Sequence, residues 1–421
     1  MENIIKTKLL IFGISGDLSR RKLLPALSSI IATGEFNDLE IIGVSRRQLV
    51  LTELFGEALQ GRSSLFSMDM AQASEYVRLK QRINLKEGEQ LLIYLSVPPT
   101  AAHQIVELLG EAGLNLTNMK LLLEKPFGVD YVSAMEMNQR LGNYFTEQQI
   151  YRIDHYLAKE MAQNIVAFRR GNALFGHVWN SQAIEKIEVE ASETIGIEGR
   201  GEFYEQTGAL RDVVQGHLMQ LLSLILMDIP PQFSWDVLPV LRQKALAAVS
   251  PAHPSKAKRA QYRGYQEEAG NPGSLTETFV YLELSSNARL WQNTPIIISA
   301  GKALPKKTTE IRIHFKKIHK AQGNILTLRI QPHEGIEMEL FTKKPGYDRK
   351  MQPQKLLFSY PEDTILPDAY EQVLVDAIRS QKSLFASNEE VLESWRILQP
   401  ILDSWEMDKL PLKIYPPNIF G

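Results

Sequence analysis

The chain has 421 residues, 44% hydrophobic and 23% charged, which gives room for two globular domains with their own cores rather than three. A formal net charge of -2 excludes a basic footprint over the whole molecule, so no nucleic-acid partner is expected and any anion site must be local. The absence of cysteine excludes disulfides, thiolate metal sites and a cysteine nucleophile.

At the N-terminus the apolar run Leu9–Phe12 is too short for the core of a signal peptide, and Asp17 and Arg20 follow at once. No stretch reaches the roughly 18 apolar residues of a membrane span. The nearest, within 210–227, is interrupted by Arg211, Asp212 and His217. A cytoplasmic protein with no membrane partner is the expectation.

The first part alternates strands and helices. Buried strands are expected at Leu9–Ile14, Ile41–Ser45, Leu91–Val97 and Met119–Glu124, with helical patterns such as Leu23–Ile31 and Ala101–Ala112 between them. Such alternation predicts a Rossmann-like, doubly wound α/β domain over residues 1–150. Its first strand runs into Gly13-Ile14-Ser15-Gly16-Asp17-Leu18, and a glycine turn opening a helix presents backbone N–H groups and a helix dipole to phosphate. The spacing departs from G-x-G-x-x-G at Ser15 and Leu18, so the passage taken alone reads either as an anion site or as a plain turn. The second strand ends Gly43-Val44-Ser45-Arg46-Arg47, with no carboxylate for a ribose 2′-hydroxyl. Arginine suits a 2′-phosphate, which favours NADP over NAD; the other reading of Arg46 and Arg47 is a pair of solvated charges. Glu124-Lys125-Pro126-Phe127-Gly128 stands at the C-terminal end of a parallel strand, where open sheets bind ligands, and Pro126 favours a cis bond before it.

Residues 151–421 read as a second, α+β domain with a large, mostly antiparallel sheet backed by helices. Strands are expected at Lys186–Ser192, Phe279–Leu284, Pro295–Ser299, Ile311–Phe315, Ile325–Ile330 and Glu337–Phe341, the last two joined as a hairpin through Gln331 to Ile336. Helices are expected at 157–170, 206–227, 367–380 and 388–405, the last opened by a capping box from Ser387 to Glu390. Residues 250–275 lack periodicity and read as a long loop. If a helix starts near Asp154, His155 and Lys159 lie one turn apart on one face and suit a phosphate; a capped helix with a solvated lysine is the plainer reading. His217 shares a helical stripe with Val213, Val214, Leu221 and Leu224, where a histidine is more often a core residue than a catalyst. Asp212 lies five residues back and does not simply orient it, so Asp154 is the best candidate partner. A carboxylate-held imidazole suits proton removal from a carbinol hydroxyl at neutral pH.

These segments together resemble the glucose-6-phosphate dehydrogenase family. Arg152–Glu160 (RIDHYLAKE) is similar to its R-I-D-H-Y-L-G-K-E signature, with Ala158 in place of glycine. The resemblance continues in order through GISGDL, EKPFG, EGRGEFYEQTGALRDVVQGHLMQ, SAGKALPKKTTEIRIHF, LRIQPHEG, TKKPG and PDAYE, over most of the chain. It implies that His217 takes the proton from the sugar 1-hydroxyl and that Asp154 orients it. It implies a 6-phosphate held by His155, Tyr156 and Lys159 with Lys307. Lys125, Glu193, Asp212 and Lys302 would bind sugar hydroxyls or position the nicotinamide end, with Gln331 nearby. The cofactor would lie on Gly13, Ser15, Gly16, Asp17 and Leu18, with Lys125 at its nicotinamide end and Arg46 on the 2′-phosphate. The implied reaction passes hydride from C1 of glucose 6-phosphate to NADP, with NAD the weaker alternative, giving 6-phosphoglucono-1,5-lactone in the first step of the oxidative pentose phosphate pathway. A homodimer or dimer of dimers through the large sheet is implied as well.

Three departures stand out. Gly216 replaces the asparagine common before the base, and glycine inside this helix weakens it by about 1 kcal/mol relative to alanine. The segment Ser45 to Asp69 and the C-terminus ending Tyr415–Gly421 look trimmed. Ser299 and Thr308 stand where some relatives carry basic residues for a second, structural NADP, which argues against that site. A non-catalytic regulatory or binding protein on the same scaffold would predict loss of Asp154, His155, Lys159 or His217, and all four are present. The eight histidines show no ligand pairing such as H-x-x-x-H, so no metal is expected. The basic loop Ser255–Arg263 reads as solvated rather than nucleic-acid binding.

Overall fold

The computed structural model describes residues 6–318, 323–361 and 363–418, so the first and last few residues of the terminal segments read above lie outside the described residues. Along the chain the strands are β1 (Thr7–Phe12), β2 (Leu39–Ser45), β3 (Ser63–Ser67), β4 (Gln90–Leu95), β5 (Met119–Leu123), β6 (Ile150–Ile153), β7 (Ile184–Ser192) and β8 (Ala257–Tyr262). They continue as β9 (Phe279–Leu284), β10 (Ile296–Gly301), β11 (Thr308–Phe315), β12 (Ile325–Gln331), β13 (Gly335–Lys343), β14 (Met351–Ser359), β15 (Phe385–Ala386) and β16 (Lys413–Tyr415).

The first sheet has the order β15-β6-β5-β4-β1-β2-β3, parallel except for β15 against β6. Its strands are apolar on both faces because helices cover both. Leu9 and Ile11 of β1 and Leu92 and Tyr94 of β4 pack into one core with the helices Leu24–Ala32 and Ala369–Ile378. Leu10, Phe12, Leu91, Ile93 and Leu95 face the opposite core, which runs on under the second sheet. Strand order reverses between β1 and β4, so a crevice opens at their C-terminal ends.

The expected end of this unit at 150 falls on the first residue of β6, and the sheet is completed by β15 from far along the chain. A buried ion pair holds that distant segment. Arg242 and Glu390, both fully buried, meet at 2.6 Å, and the Arg242 guanidinium also donates to the carbonyls of Ser383 and Phe385.

The second sheet has the order β14-β13-β12-β11-β7-β10-β9-β8-β16, antiparallel except for β7–β10 and β8–β16. Residues 250–275 are not a bare loop. They contain β8 and the short helix Tyr265–Ala269. Little alternation showed because the buried stretch of β8 includes Gln261, whose amide donates to the carbonyls of Ser274 and Thr276. β14 gave no strand signal either, since it is exposed along most of its length and contains Pro353, which is tolerated at the sheet edge where it lies.

The helix expected over 206–227 is three pieces: Gly201–Ala209, a π-helix Leu210–Leu218, and Met219–Leu226. Gly208 breaks it with φ 61° and ψ -178°. The Leu210 N–H is then taken by the buried Glu277 carboxylate at 3.0 Å, which lets a new helix start at the site. No helix among the described residues is long and apolar enough to cross a membrane.

Candidate active site

The crevice between β1 and β4 is a cavity of about 580 Å³ lined by Gly13, Ser15, Gly16, Ser45, Arg46, Arg47, Ser96 and Pro98, among others. Gly13 has φ 77°, and a Cβ there would stand 2.1 Å from the Ser96 carbonyl oxygen, so the turn needs glycine. Ser19 ties the turn down, its hydroxyl donating to the Gly13 carbonyl at 3.0 Å and meeting the Ser96 hydroxyl at 3.1 Å. Arg46 and Arg47 are exposed at the rim, clear of ion pairs with described residues. Of the expected cofactor residues, Asp17 and Leu18 are not in the lining. The Asp17 side chain is exposed and pairs with Arg21 at 2.6 Å, and Leu18 packs against a core cluster. The sequence reading missed Ser45, Asp69, Ser96, Thr100 and Gln104, polar residues without a motif of their own that line this space.

The second group assembles where β5, β6 and the π-helix meet. Asp154 follows β6 and is buried, and its Oδ1 lies 2.7 Å from His217 Nδ1, although the two are 63 residues apart. The same Oδ1 accepts the Tyr156 N–H at 2.9 Å. No helix starts at Asp154. Residues 154–158 turn instead, the Leu157 N–H reaching the Asp154 carbonyl at 3.0 Å, and the helix Glu160–Gly171 begins with Lys159 as its cap residue. His155 and Lys159 therefore share no helical face; the turn brings them to the site. His155 meets the His217 ring edge-on at 4.6 Å, while Tyr156 stacks on it at 4.2 Å. Lys159 Nζ lies 5.6 Å from the Tyr156 ring centre.

The electrostatics favour the deprotonated form of both members of the pair. Burial alone would raise the Asp154 carboxyl, but His217, Lys125 and His155 outweigh it and hold the group well below the usual carboxylate range. Burial lowers the His217 imidazole below its ordinary 6.5, with Lys125 adding and Asp154 and Asp212 opposing. At neutral pH this is an ionised Asp154 holding a neutral imidazole, with Nδ1 engaged and Nε2 left to act as a base. Asp212 does contribute, because the i→i+5 pattern of a π-helix brings a residue five positions back to one turn away. Burial lowers the Lys159 amine as well, Glu334 and Asp368 oppose, and the nearby Lys22 and Lys307 add to it. Lys159, Lys22 and Lys307 thus gather near one another, with Lys22 paired to Asp368 at 3.0 Å.

Lys125 follows β5 through a cis bond to Pro126, and its ammonium donates to the Asp212 carbonyl at 2.8 Å. Lys302 pairs with Glu193, the two standing just beyond β10 and β7. Gln331, ending β12, donates to the Tyr156 hydroxyl at 2.9 Å and to Thr309 at 3.2 Å. Sequence reading missed Glu124, pushed up to about 7 by burial and bonded to the Tyr94 hydroxyl, and Tyr370, whose ring stacks on His155 at 6.1 Å. The PDAYE segment carried the only signal for Tyr370. Among the described residues, donor atoms of Asp154, His155 and His217 lie within 4.8 Å of one another, a cluster that chain spacing could not reveal.

Comparison with known proteins agrees over nearly the whole chain. The model of the glucose-6-phosphate dehydrogenase NAD-binding domain matches residues 10–61 and 52–164, and that of the C-terminal domain matches 166–421. Glucose-6-phosphate 1-dehydrogenase of Chlamydia muridarum is 35% identical, covering 98% of this chain and 92% of its own length. The protein of that name from Dickeya dadantii is 32% identical over 98% of this chain and 94% of its own. A solved glucose-6-phosphate dehydrogenase in complex with glucose 6-phosphate superposes with a TM-score of 0.92 at 30% identity, covering 99% of this chain and 96% of its own. The fold, the paired aspartate and histidine and these matches agree: the chain belongs to the glucose-6-phosphate dehydrogenase family.

Proposed function

We propose that His217 is the base and Asp154 its orienting partner in the oxidation of D-glucose 6-phosphate at C1. The observation that carries this reading is the buried 2.7 Å contact between Asp154 Oδ1 and His217 Nδ1, which leaves Nε2 to take the proton of the 1-hydroxyl. His155, Tyr156, Lys159 and Lys307 hold the 6-phosphate, the lysines by charge and the tyrosine by its hydroxyl. Lys125, Glu193, Asp212 and Lys302 meet the sugar hydroxyls, and Lys125 also serves the nicotinamide end. The crevice at Gly13, Ser15 and Gly16 fits a dinucleotide: its volume is about 580 Å³ and a glycine turn opens a helix beside it. The glycine turn and the helix start at Asp17 and Leu18 face the pyrophosphate, the Gly13, Ile14 and Gly16 N–H groups being taken by the carbonyls of Val44 and Gly13, and Arg46 faces the 2′-phosphate, which favours NADP over NAD. Bound there, the nicotinamide supplies the acceptor for the hydride leaving C1, and the sugar leaves as the 1,5-lactone.

The reaction needs no metal in this reading, since two of the three clustered donors are spent on each other. Residues 1–150, with β6, form the nucleotide half, and the remainder to 421 forms the substrate half. The chain assembles as a homodimer or dimer of dimers in the cytoplasm. Support for self-association is the edge strand β14, which exposes Met351, Leu356 and Leu357.

The test is absorbance at the NADPH band with glucose 6-phosphate and NADP or NAD, without added metal. Wild-type protein turns over faster with NADP than with NAD. His217→Asn abolishes turnover while glucose 6-phosphate still binds. Normal turnover at saturation with binding lost would refute the assignment.

A further inference from the structure

Gly216 sits in the π-helix one residue before His217 and is buried. A Cβ built on it would stand 2.8 Å from both Cδ and Nζ of Lys125 and 3.3 Å from Cε, and these are its three nearest neighbouring atoms. Its φ lies outside the left-handed region, so the backbone does not require glycine here. Glycine also weakens a helix interior relative to alanine. What it supplies is space, and the Lys125 side chain fills that space.

We propose that Gly216 is a positioning residue for the reaction: carrying no side chain, it lets Lys125 lie across the π-helix with its ammonium on the Asp212 carbonyl, beside Asp154 and His217. The lysine is thereby held between the strand that delivers it and the helix that carries the base. In this chain a Cβ at 216 would meet the far end of a flexible side chain, so the lysine yields more cheaply than the backbone. The ammonium then leaves the Asp212 carbonyl, and the base changes its surroundings. Among the described residues, the charged and titratable groups facing His217 are Asp154, His155 and Tyr156 from the turn after β6, Lys125 from the segment after β5 and Asp212 on its own helix, while β7 and β10, which also pack against the π-helix, end beside the Glu193–Lys302 pair. From the helix Asn388–Met407 the neighbouring contact is neutral, Gln215 to Ser394. Of these groups, Lys125 is the one in contact with the position 216 would fill. Its positive charge lowers the imidazole, so moving it away lets the base protonate at higher pH.

The inference rests on His217 being the base. The experiment follows kcat/KM against pH for the wild type, Gly216→Ala, Lys125→Met and the double variant, with melting temperatures of each. The acid limb of Gly216→Ala moves to higher pH, by a few tenths of a unit to about one unit. Lys125→Met moves it the same way, and adding Gly216→Ala to Lys125→Met moves it no further. A merely structural glycine would change the melting temperature and leave the limb in place. An acid limb in Gly216→Ala superimposable on the wild type, or a further shift in the double variant, overturns the proposal. Should Gly216→Ala fail to fold, Lys125→Met alone decides, since an unmoved limb there removes the premise. Turnover surviving in His217→Asn would sink the base assignment itself; a dead His217→Asn with an unchanged Gly216→Ala sinks only the role of the glycine.

Discussion

Asp154→Asn isolates the charge that holds the base. Asp154 Oδ1 accepts both the His217 ring N–H at 2.7 Å and the Tyr156 N–H at 2.9 Å. An asparagine with its oxygen in that place keeps both hydrogen bonds, the ring orientation and the tautomer, and loses only the negative charge. That charge stabilises the imidazolium formed as the hydroxyl proton arrives. With charge centres about 4 Å apart and an effective dielectric of about 20, the interaction is roughly 4 kcal/mol. The expected result is a fall in kcat of about a thousandfold with the KM for glucose 6-phosphate little changed. The pH profile carries a second sign. Asp154 opposes the lowering of the His217 imidazole by burial, so removing its charge lowers the imidazole further. The surviving activity should therefore persist to lower pH than in the wild type. Initial rates across pH, with circular dichroism to show that the variant is folded, make the measurement. A fall of less than about tenfold, or an acid limb displaced upward, would refute the reasoning.

Lys159→Ala should raise the KM for glucose 6-phosphate sharply with kcat less affected, because a phosphate contact held equally in ground and transition states acts on binding first; an unchanged KM would remove Lys159 from the phosphate site. For Arg46→Ala the expected loss is in NADP use, with NAD little changed, and equal losses with both would remove the 2′-phosphate assignment. Glu390→Ala leaves the fully buried Arg242 guanidinium without its carboxylate, and removing one partner of such a pair costs about 3–5 kcal/mol. Urea denaturation should show that loss, and a midpoint equal to the wild type would mean that the pair does not hold β15 on β6.

The alternation of apolar strands and helices in the first part is legible because period-two and helical patterns follow from local geometry. Leu9 and Ile11 on one face of β1 with Leu10 and Phe12 on the other are the expected result of a strand buried on both sides. The capping box at Ser387 is legible for the same reason, and it is present in the structure. Legibility fails where a residue's partner is remote. A turn stands at Asp154 in place of the expected helix start, and its carboxylate meets a histidine 63 residues away, a pairing that chain spacing does not encode. At the break at Gly208 the next N–H is met by Glu277 from another element, and β15 lies between Ser383 and Glu390, both of which the buried Arg242 contacts.

The sequence by itself determined which residues could do chemistry: a glycine turn before a helix, two arginines where a carboxylate would stand, and Asp154, His155, Lys159 and His217 within motifs. Those are statements about side-chain type and local spacing, and local forces enforce them. Only the tertiary structure decided that Asp154 faces Nδ1 of His217, that a π-helix brings Asp212 within electrostatic reach of the same ring, and that Lys125 lies across Gly216. Hydrogen bonds and charge interactions act over a few ångströms in space, and distances of that kind between residues remote in the chain exist only once the two sheets and their helices have packed.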